Sequence, residues 1–369
     1  MRIFMIGEKC IPGVQGGVER HVEELAKNLV ERGNDVYVYC RSRYTQEKLP
    51  EYKGIHLIYL PTIYTKHLEA ITHTLLATLN VLFKKADVVH YHGIGPSSLL
   101  WIVKLFKPNT LVVATHHCQD YKHQKWGIIA KLYLQFGEWV ACRFADRVIA
   151  VSQTLQSYIK DVYNRDAIFI PNGAENVDKM YSKEDVLEKY GLKEGEYYVA
   201  ISRLVKHKGL HYLVDAFSQI KTDKKLVIVG GSAYTDDYKD WLINKAKANL
   251  SIVFTGEQGR DAVAELLRKS YCFVQPSEAE GLSVALLEAV LAGKPCIVSD
   301  ISENIDVVGV NALAFASKSV EDLAKQLQYA ELHPKELAVL GKKAKEEVAD
   351  KYDWKNVAGQ IEAVYESAT

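Results

Sequence analysis

Residues 280–288 read EGLSVALLE, and this stretch of the chain says the most about its fold. Glu288 stands alone inside an apolar run over residues 284–292, which closes with Gly293 and Pro295. Because apolar residues occupy every face of the run, it predicts a buried helix that ends at the glycine. A carboxylate in such a helix is costly unless another group donates a hydrogen bond to it.

The residues before this predicted helix suit an anionic ligand. Glu280 lies in the loop that leads into the helix, whose first N–H groups and dipole favour a phosphate. Two carboxylates that accept hydroxyl hydrogens, one on each side of an anion site, suit a ligand that is part sugar and part phosphate. The plainer alternative is that Glu288 only accepts a hydrogen bond from a neighbouring backbone group.

Composition indicates a water-soluble globular protein. The chain has 369 residues, of which 48% are hydrophobic and 25% charged, enough for two α/β domains. No apolar run reaches the roughly 18–20 residues that span a bilayer, and residues 1–6 predict a strand rather than a signal peptide. The six cysteines form no CxxC pair, which favours a reducing, cytoplasmic setting without a zinc site or disulfide frame.

Charge divides unevenly along a chain that is neutral overall. Residues 1–170 carry a net charge of +6 and the remainder carries −6. The positive half suits an anionic lipid surface or a phosphorylated acceptor, with ordinary variation of surface charge as the alternative. No nucleic-acid motif accompanies the bias, so nucleic acid is not an expected partner.

Short apolar runs alternate with helical patterns along the whole chain. This predicts two consecutive doubly wound α/β units, joined near the sequence Pro171-Asn172-Gly173. Ligands of such sheets bind beyond the carboxyl ends of the strands, and a central cleft between the two domains is the expected site. The predicted strands are residues 2–6, 36–40, 55–60, 88–90, 111–115, 148–151, 197–202, 226–230, 252–255, 272–275 and 296–299.

Two strand-to-helix loops carry candidate phosphate ligands. Gly16 and Gly17 end a glycine-rich loop whose spacing is not G-x-G-x-x-G, and this argues against NAD. Arg203 ends the first predicted strand of the second unit, and Lys208 precedes Gly209 and a helix predicted over residues 210–220. The two cations predict a diphosphate clamp, and with no D-x-D sequence in the chain no metal is expected.

Histidines concentrate in the first unit, with nine of the twelve inside residues 1–170. His90 and His92 follow one predicted strand, and His116 and His117 follow the next. Three interpretations stay open: a metal ligand, a neutral imidazole that hydrogen-bonds a sugar hydroxyl, or an ordinary buried side chain.

These motifs together resemble the retaining GT-B glycosyltransferases of glycosyltransferase family 4. The resemblance covers essentially the whole chain and implies two Rossmann-like domains that face a central cleft, with a C-terminal helix that crosses back to the first. The implied bounds are 1–173 for an acceptor-binding domain, 174–351 for a nucleotide-sugar donor-binding domain and 352–369 for the helix. The motifs that carry the resemblance are Gly16-Gly17-Val18-Glu19, Pro171-Asn172-Gly173, Ser202-Arg203-Leu204 with Lys208-Gly209, Glu280 with Glu288, Gly293-Lys294-Pro295 and Tyr352-Asp353-Trp354.

The resemblance also implies a role for each matching residue. Arg203 and Lys208 would bind the donor diphosphate, Glu288 the ribose hydroxyls and Glu280 the transferred sugar. His117 matches a histidine that contacts the donor sugar, although His116 beside it leaves the assignment open by one residue. The implied backbone ligands of the diphosphate are Gly16, Gly17, Gly281, Leu282 and Ser283.

The implied activity is metal-independent transfer of a sugar, with retention, from a nucleotide diphosphate sugar to a glycan or lipid-linked acceptor in polysaccharide or glycoconjugate biosynthesis. The alternatives are a non-catalytic nucleotide-sugar-binding scaffold and a sugar-nucleotide 2-epimerase. Residues 66–74 and 125–127 resemble the rhamnosyltransferase subgroup, from which the first loop departs. An apolar stripe over residues 68–82 predicts packing in the core, with peripheral contact at the inner face of the membrane as the alternative.

Overall fold

The computed structural model divides the chain into two compact units. The N-terminal unit comprises Met1–Gly173 with Lys351–Thr369, and the C-terminal unit comprises Ala174–Asp350. The structure describes residues 1–12, 16–45, 47–65, 68–122, 127–174, 177, 185–232 and 236–367. Residues 66, 67, 125 and 126, on which part of the rhamnosyltransferase resemblance rests, lie outside these ranges, as do residues 13–15 of the first loop.

The N-terminal unit is built on a sheet with the order β3-β4-β2-β1-β5-β6-β7-β8, parallel except for the β3–β4 pair. Strands β5 and β6 are buried along their whole length, as expected where helices cover both faces. The strands are β1 Arg2–Ile6, β2 Asp35–Arg41, β3 Glu51–Tyr52, β4 Ile55–Leu60, β5 Val88–His92, β6 Leu111–His116, β7 Arg147–Ala150 and β8 Ile168–Phe169.

Seven helices of the described residues belong to this unit, including the last helix of the chain. Helix α15 (Trp354–Glu366) starts at a cap in which the Asp353 carboxylate accepts hydrogen bonds from the backbone N–H groups of Lys355 and Asn356, and it packs against α1 (Gly17–Glu31) in the N-terminal core. The chain therefore returns to its first unit. The helices are α1 Gly17–Glu31, α2 Leu68–Leu82, α3 Ile94–Ser97, α4 Leu100–Phe106, α5 Ile128–Phe144, α6 Gln153–Tyr163 and α15 Trp354–Glu366.

The C-terminal unit has a parallel sheet with the order β11-β10-β9-β12-β13-β14. Its strands are β9 Tyr197–Ile201, β10 Lys225–Val229, β11 Ile252–Gly256, β12 Cys272–Gln275, β13 Cys296–Ser299 and β14 Leu313–Phe315. Its helices are α7 Val186–Lys189, α8 Leu210–Phe217, α9 Asp236–Ala246, α10 Arg260–Arg268, α11 Val284–Leu291, α12 Ser302–Val308, α13 Val320–Leu332 and α14 Pro334–Val348. The predicted doubly wound fold is confirmed in both units.

The strand order of each sheet reverses beside its first strand. In the C-terminal unit, β9 lies between β10 and β12, so the loops that follow β9 and β12 leave in opposite directions. Such a switch point is where open α/β sheets bind their ligands. The loops concerned carry Arg203, Lys208 and Glu280.

Helix α2 differs from its prediction. Leu68, Leu75 and Leu79, which the apolar stripe assigned to the core, are exposed. The buried face of the helix carries small and polar side chains, among them His73 and Thr78, because Thr78 hydrogen-bonds Tyr91 of strand β5. No helix within the described residues is long and apolar enough to cross a membrane.

Candidate functional site

Lys208 and Glu280 meet at the switch point of the C-terminal sheet. The Nζ atom of Lys208 lies 2.7 Å from both carboxylate oxygens of Glu280, and both side chains are largely buried. The two residues are 72 positions apart in sequence, so the fold, and not local spacing, brings them together.

Gly209 explains why these two loops can approach each other. A Cβ atom at this position would lie 1.9 Å from the carbonyl oxygen of Pro276, and the backbone has a φ of +66°. Only glycine has both the freedom for that angle and the space for that contact. The glycine therefore fixes Lys208, its neighbour, beside the loop that carries Glu280.

Glu280 is oriented by three donors. Its Oε1 atom also accepts hydrogen bonds from Gln275 Nε2 at 2.7 Å and from Ser277 Oγ at 2.6 Å. Its Oε2 atom accepts from Lys208, and a carboxylate oxygen has room for a second donor. This arrangement presents one fixed acceptor of the kind that binds a sugar hydroxyl.

Glu288 is buried in helix α11 and has a charged partner. The Nη2 atom of Arg260, the first residue of helix α10, lies 2.8 Å from Glu288 Oε1. The alternative in which Glu288 only caps a backbone group is therefore insufficient, because a guanidinium compensates its buried charge.

Arg203 is exposed, unlike Lys208. It follows strand β9 in the loop that leads to the short 3-10 turn Lys206–Lys208 and then to helix α8. The two predicted members of the clamp thus have different surroundings: Arg203 faces solvent, and Lys208 is held by Glu280.

Gly281, Leu282 and Ser283 lead directly into helix α11 and are buried. Ser283 caps this helix, since its hydroxyl oxygen accepts a hydrogen bond from the backbone N–H of Leu286 at 3.3 Å. The predicted phosphate-facing segment is therefore at a helix N-terminus, between Glu280 and Glu288 in sequence.

In the N-terminal unit, Gly16 and Gly17 lie where helix α1 begins. Gly16 is the N-cap and Gly17 the first helical residue. The carboxylate of Glu19 covers Gly16, because a Cβ atom added there would lie 1.9 Å from Glu19 Oε2, whereas space beside Gly17 is open. The helix N-terminus thus already has a negative group close by.

His117 belongs to a buried cluster with His21 and His92. His92 Nδ1 and His117 Nε2 are 3.3 Å apart, and the His21 ring stands edge-on to that of His117. Burial lowers the pKa of His21 to about 4 and holds the pKa of His92 and of His117 well below its usual value, so the cluster is neutral. His116 is also buried, and neither of its ring nitrogens has a hydrogen-bond partner.

The Pro-Asn-Gly sequence completes this cluster. Asn172 Oδ1 accepts a hydrogen bond from His21 Nδ1 at 2.8 Å, which leaves His21 Nε2 unprotonated. Gly173 packs against the ring of Trp354, where a Cβ atom would lie 2.4 Å from the indole. Asn172 and Gly173 therefore serve packing within the N-terminal unit, since the asparagine accepts a hydrogen bond from His21 and the glycine leaves space for Trp354.

Three contributors to the C-terminal site were not predicted from sequence. Gln275 could have been found, because it is a polar residue that ends an otherwise apolar strand at the switch point. Ser277 and Arg260 gave no signal, since exposed loops and helix starts commonly carry such residues.

Two family models match the chain. The model described as Glycosyltransferase Family 4 matches residues 15–175, and that described as Glycosyl transferases group 1 matches residues 182–347. N-acetyl-alpha-D-glucosaminyl L-malate synthase of Bacillus anthracis is 26% identical, over 98% of this chain and 96% of its own length.

Solved structures share the fold over its full extent. Sucrose-phosphate synthase of Thermosynechococcus elongatus has a TM-score of 0.84 and 21% identity, with 99% of this chain and 98% of that one covered. Anabaena HepE, solved with UDP and glucose, has a TM-score of 0.83 and 19% identity, with both chains covered completely. Because the two family models together account for most of the chain, it belongs to the family 4-type glycosyltransferases with the GT-B fold.

Proposed function

We propose that this glycosyltransferase moves a sugar from a nucleotide diphosphate sugar to an acceptor hydroxyl, with retention at the anomeric carbon and without a metal ion. The observation that carries this proposal is Glu280, oriented by Lys208, Gln275 and Ser277 at the switch point of the C-terminal sheet. A similar fold in HepE holds UDP-glucose, which supports a donor of this class.

Each side chain of the C-terminal site has a task in this proposal. Glu280 accepts hydroxyl hydrogens of the transferred sugar, and Glu288, held by Arg260, accepts those of the ribose. Arg203, together with backbone N–H groups at the start of helix α11, binds the diphosphate. Lys208 has three N–H donors, and those not engaged by Glu280 are available to the same phosphates.

The glycine-rich start of helix α1 and His117 are the proposed contributors of the N-terminal unit. Gly16 and Gly17 supply backbone N–H groups to the diphosphate, after the Glu19 carboxylate gives way. A neutral His117 hydrogen-bonds the donor sugar, in keeping with its lowered pKa.

Departure of the diphosphate is the step that the cations assist. As the glycosidic bond breaks, negative charge grows on the leaving oxygen, and fixed cations beside it stabilise the transition state more than the bound donor. No carboxylate is assigned as a nucleophile. We therefore propose that the acceptor hydroxyl attacks the anomeric carbon from the same face that the diphosphate leaves. The leaving phosphate then receives the proton of the acceptor hydroxyl.

The acceptor in this proposal is a glycan or lipid-linked molecule of polysaccharide or other glycoconjugate biosynthesis. The transfer takes place in the cytoplasm. The name of the Bacillus anthracis relative joins a glucosaminyl group to L-malate, which is neither a glycan nor a lipid-linked molecule.

Slow hydrolysis of the donor tests the reaction type. We expect incubation with a panel of nucleotide sugars to release one nucleoside diphosphate and a free sugar whose first-formed anomer, by proton NMR, is that of the donor. The rate should be unchanged in excess EDTA, because cations of the chain neutralise the diphosphate. The opposite anomer contradicts retention, and loss of activity in EDTA that Mg²⁺ or Mn²⁺ restores contradicts the metal-free site. A changed sugar on an intact nucleotide indicates an epimerase, and no reaction with any donor indicates a scaffold.

A further inference from the structure

Helix α2 exposes most of its leucines and buries most of its polar side chains. The side chains of Leu75, Leu79 and the following Phe83 face solvent, whereas His73 and Thr74 are fully buried. A surface helix of a water-exposed protein has the opposite pattern, with apolar residues inward. The outward face of α2 therefore has the apolar composition of a surface that contacts another apolar surface instead of water.

Helix α5 repeats the pattern. Ile128, Leu132, Phe136 and Trp139 recur at intervals of three and four residues, so they form one stripe along the helix, and all are exposed. Ile129, beside the start of this stripe, is 85% exposed.

Helix α4 joins these two faces into one. It packs against both α2 and α5, and its own outward residues are Trp101, Leu105 and Phe106. We call the combined surface the apolar face. It comprises Leu68, Leu75, Leu76, Leu79, Phe83, Trp101, Leu105, Phe106, Ile128, Ile129, Leu132, Phe136, Trp139 and Phe144. A continuous apolar surface of this kind marks an interaction site.

The charges of the three helices have one sign at the surface. Their only acidic residues, Glu69 and Glu138, are buried; Glu69 lies beside Arg41, and Glu138 accepts hydrogen bonds from two tyrosines. Exposed or partly exposed basic residues remain on the helices themselves, namely Lys131 and Arg143 on α5 and Lys104 on α4. Lys104 pairs with Asp146, which follows α5, and the exposed Lys84 and Lys85 follow α2 ahead of Asp87.

We propose that the apolar face docks onto an anionic lipid bilayer, with helices α2, α4 and α5 lying in the membrane surface. Apolar side chains that enter the interface, together with basic side chains at its edge, are the combination that binds helices to anionic lipids. A second copy of the chain fits less well, because the two faces would bring the same positive charges together.

Vesicle co-sedimentation of the full chain tests this proposal, and it needs no sugar donor, so it is independent of the proposed reaction. We expect binding to vesicles of equimolar phosphatidylcholine and phosphatidylglycerol, and weaker binding to phosphatidylcholine alone. The triple variant Leu105→Ser, Ile129→Ser, Leu132→Ser should bind at least roughly tenfold more weakly. The double variant Lys131→Gln, Arg143→Gln should lose roughly tenfold on anionic vesicles only.

A matched control is available in the C-terminal unit, where Leu250, Val310 and Leu332 are exposed to a similar degree. Their triple replacement by serine should leave vesicle binding unchanged, and melting curves should show that both triple variants fold. Failure of the wild-type chain to bind anionic vesicles overturns the proposal, as does an equal loss in the control. A stable dimer in light scattering that the first triple variant converts to a monomer, without vesicle binding, assigns the face to a second copy instead.

Discussion

Replacement of Arg203 with alanine is expected to lower turnover at saturating donor by at least roughly tenfold, because a hydrogen bond to a charged group contributes roughly 1.5–3 kcal/mol. Charge on the diphosphate grows as the glycosidic bond breaks, so the arginine holds the transition state more tightly than the bound donor. Arg203 is exposed, and the variant should therefore melt at the temperature of the wild type.

The same loop offers a matched control for this result. Lys206 is an exposed cation three positions away, and Lys206→Ala should keep turnover close to that of the wild type. Turnover of Arg203→Ala that equals that of the control, with both proteins folded, would show that this guanidinium does not assist the leaving group.

Lys208 is a less suitable probe, although it shares the loop with Arg203. Arg203 faces solvent, so its side chain can be removed without affecting the fold. Lys208, however, pairs with the buried Glu280. Removal of the lysine from this largely buried ion pair leaves the Glu280 carboxylate without a compensating positive charge. A loss of turnover in Lys208→Ala would therefore combine an effect on chemistry with one on stability.

Mild acid is expected to unfold the N-terminal unit before the C-terminal one. Burial lowers the pKa of His21 and His116 to about 4, and that of His73 and His90 to about 3. A histidine whose pKa is lower in the folded than in the unfolded chain takes up its proton on unfolding, so stability falls as pH drops below the unfolded value of about 6.5.

The expected loss is large because these histidines act together. One pH unit below 6.5, each contributes about 1.4 kcal/mol, so the four together remove about 6 kcal/mol, against a total stability of about 5–15 kcal/mol for a typical protein. The three histidines of the C-terminal unit, His207, His211 and His333, are half-buried or exposed, so that unit provides an internal control.

Hydrogen exchange read by mass spectrometry, corrected for the intrinsic effect of pH, distinguishes the two units. Between pH 7.5 and pH 5, peptides of the N-terminal sheet should lose protection while those of the C-terminal sheet keep it. Equal protection of the N-terminal sheet at both pH values would mean that the buried imidazoles do not remain neutral in the folded chain.

Periodicity was sufficient to predict most of the fold. Strand β12 and strand β13 have the predicted bounds, because short apolar runs between turn residues leave little choice of pairing. Helix α2 was misassigned because periodicity finds an apolar stripe without saying which way it faces. The direction was set by partners on strand β5, by Arg41 at the end of β2 and by Tyr44 in the turn after it, since both of these residues contact Glu69.

The candidate site was predictable only where a residue type is tied to backbone geometry. Glu280, Lys208 and Gly209 follow from strand-to-helix loops and from a glycine that the backbone requires. Arg260 lies at the start of a separate helix, and its pairing with Glu288 depends on how α10 and α11 pack, a tertiary contact with no local signature.

The most direct test of the central claim is a calorimetric titration of the wild type, Glu288→Gln and Glu280→Gln with the common nucleoside diphosphates. If Glu288 accepts the ribose hydroxyls and Glu280 those of the transferred sugar, one nucleoside diphosphate should bind the wild type. It should bind Glu288→Gln roughly tenfold more weakly, a loss of about one hydrogen bond to a charged group. It should bind Glu280→Gln with nearly wild-type affinity, because the amide oxygen still accepts a hydrogen bond from Lys208, and melting curves should show that both variants fold. Equal losses of affinity in the two variants, or no binding of any nucleoside diphosphate to the wild type, would contradict the assignment.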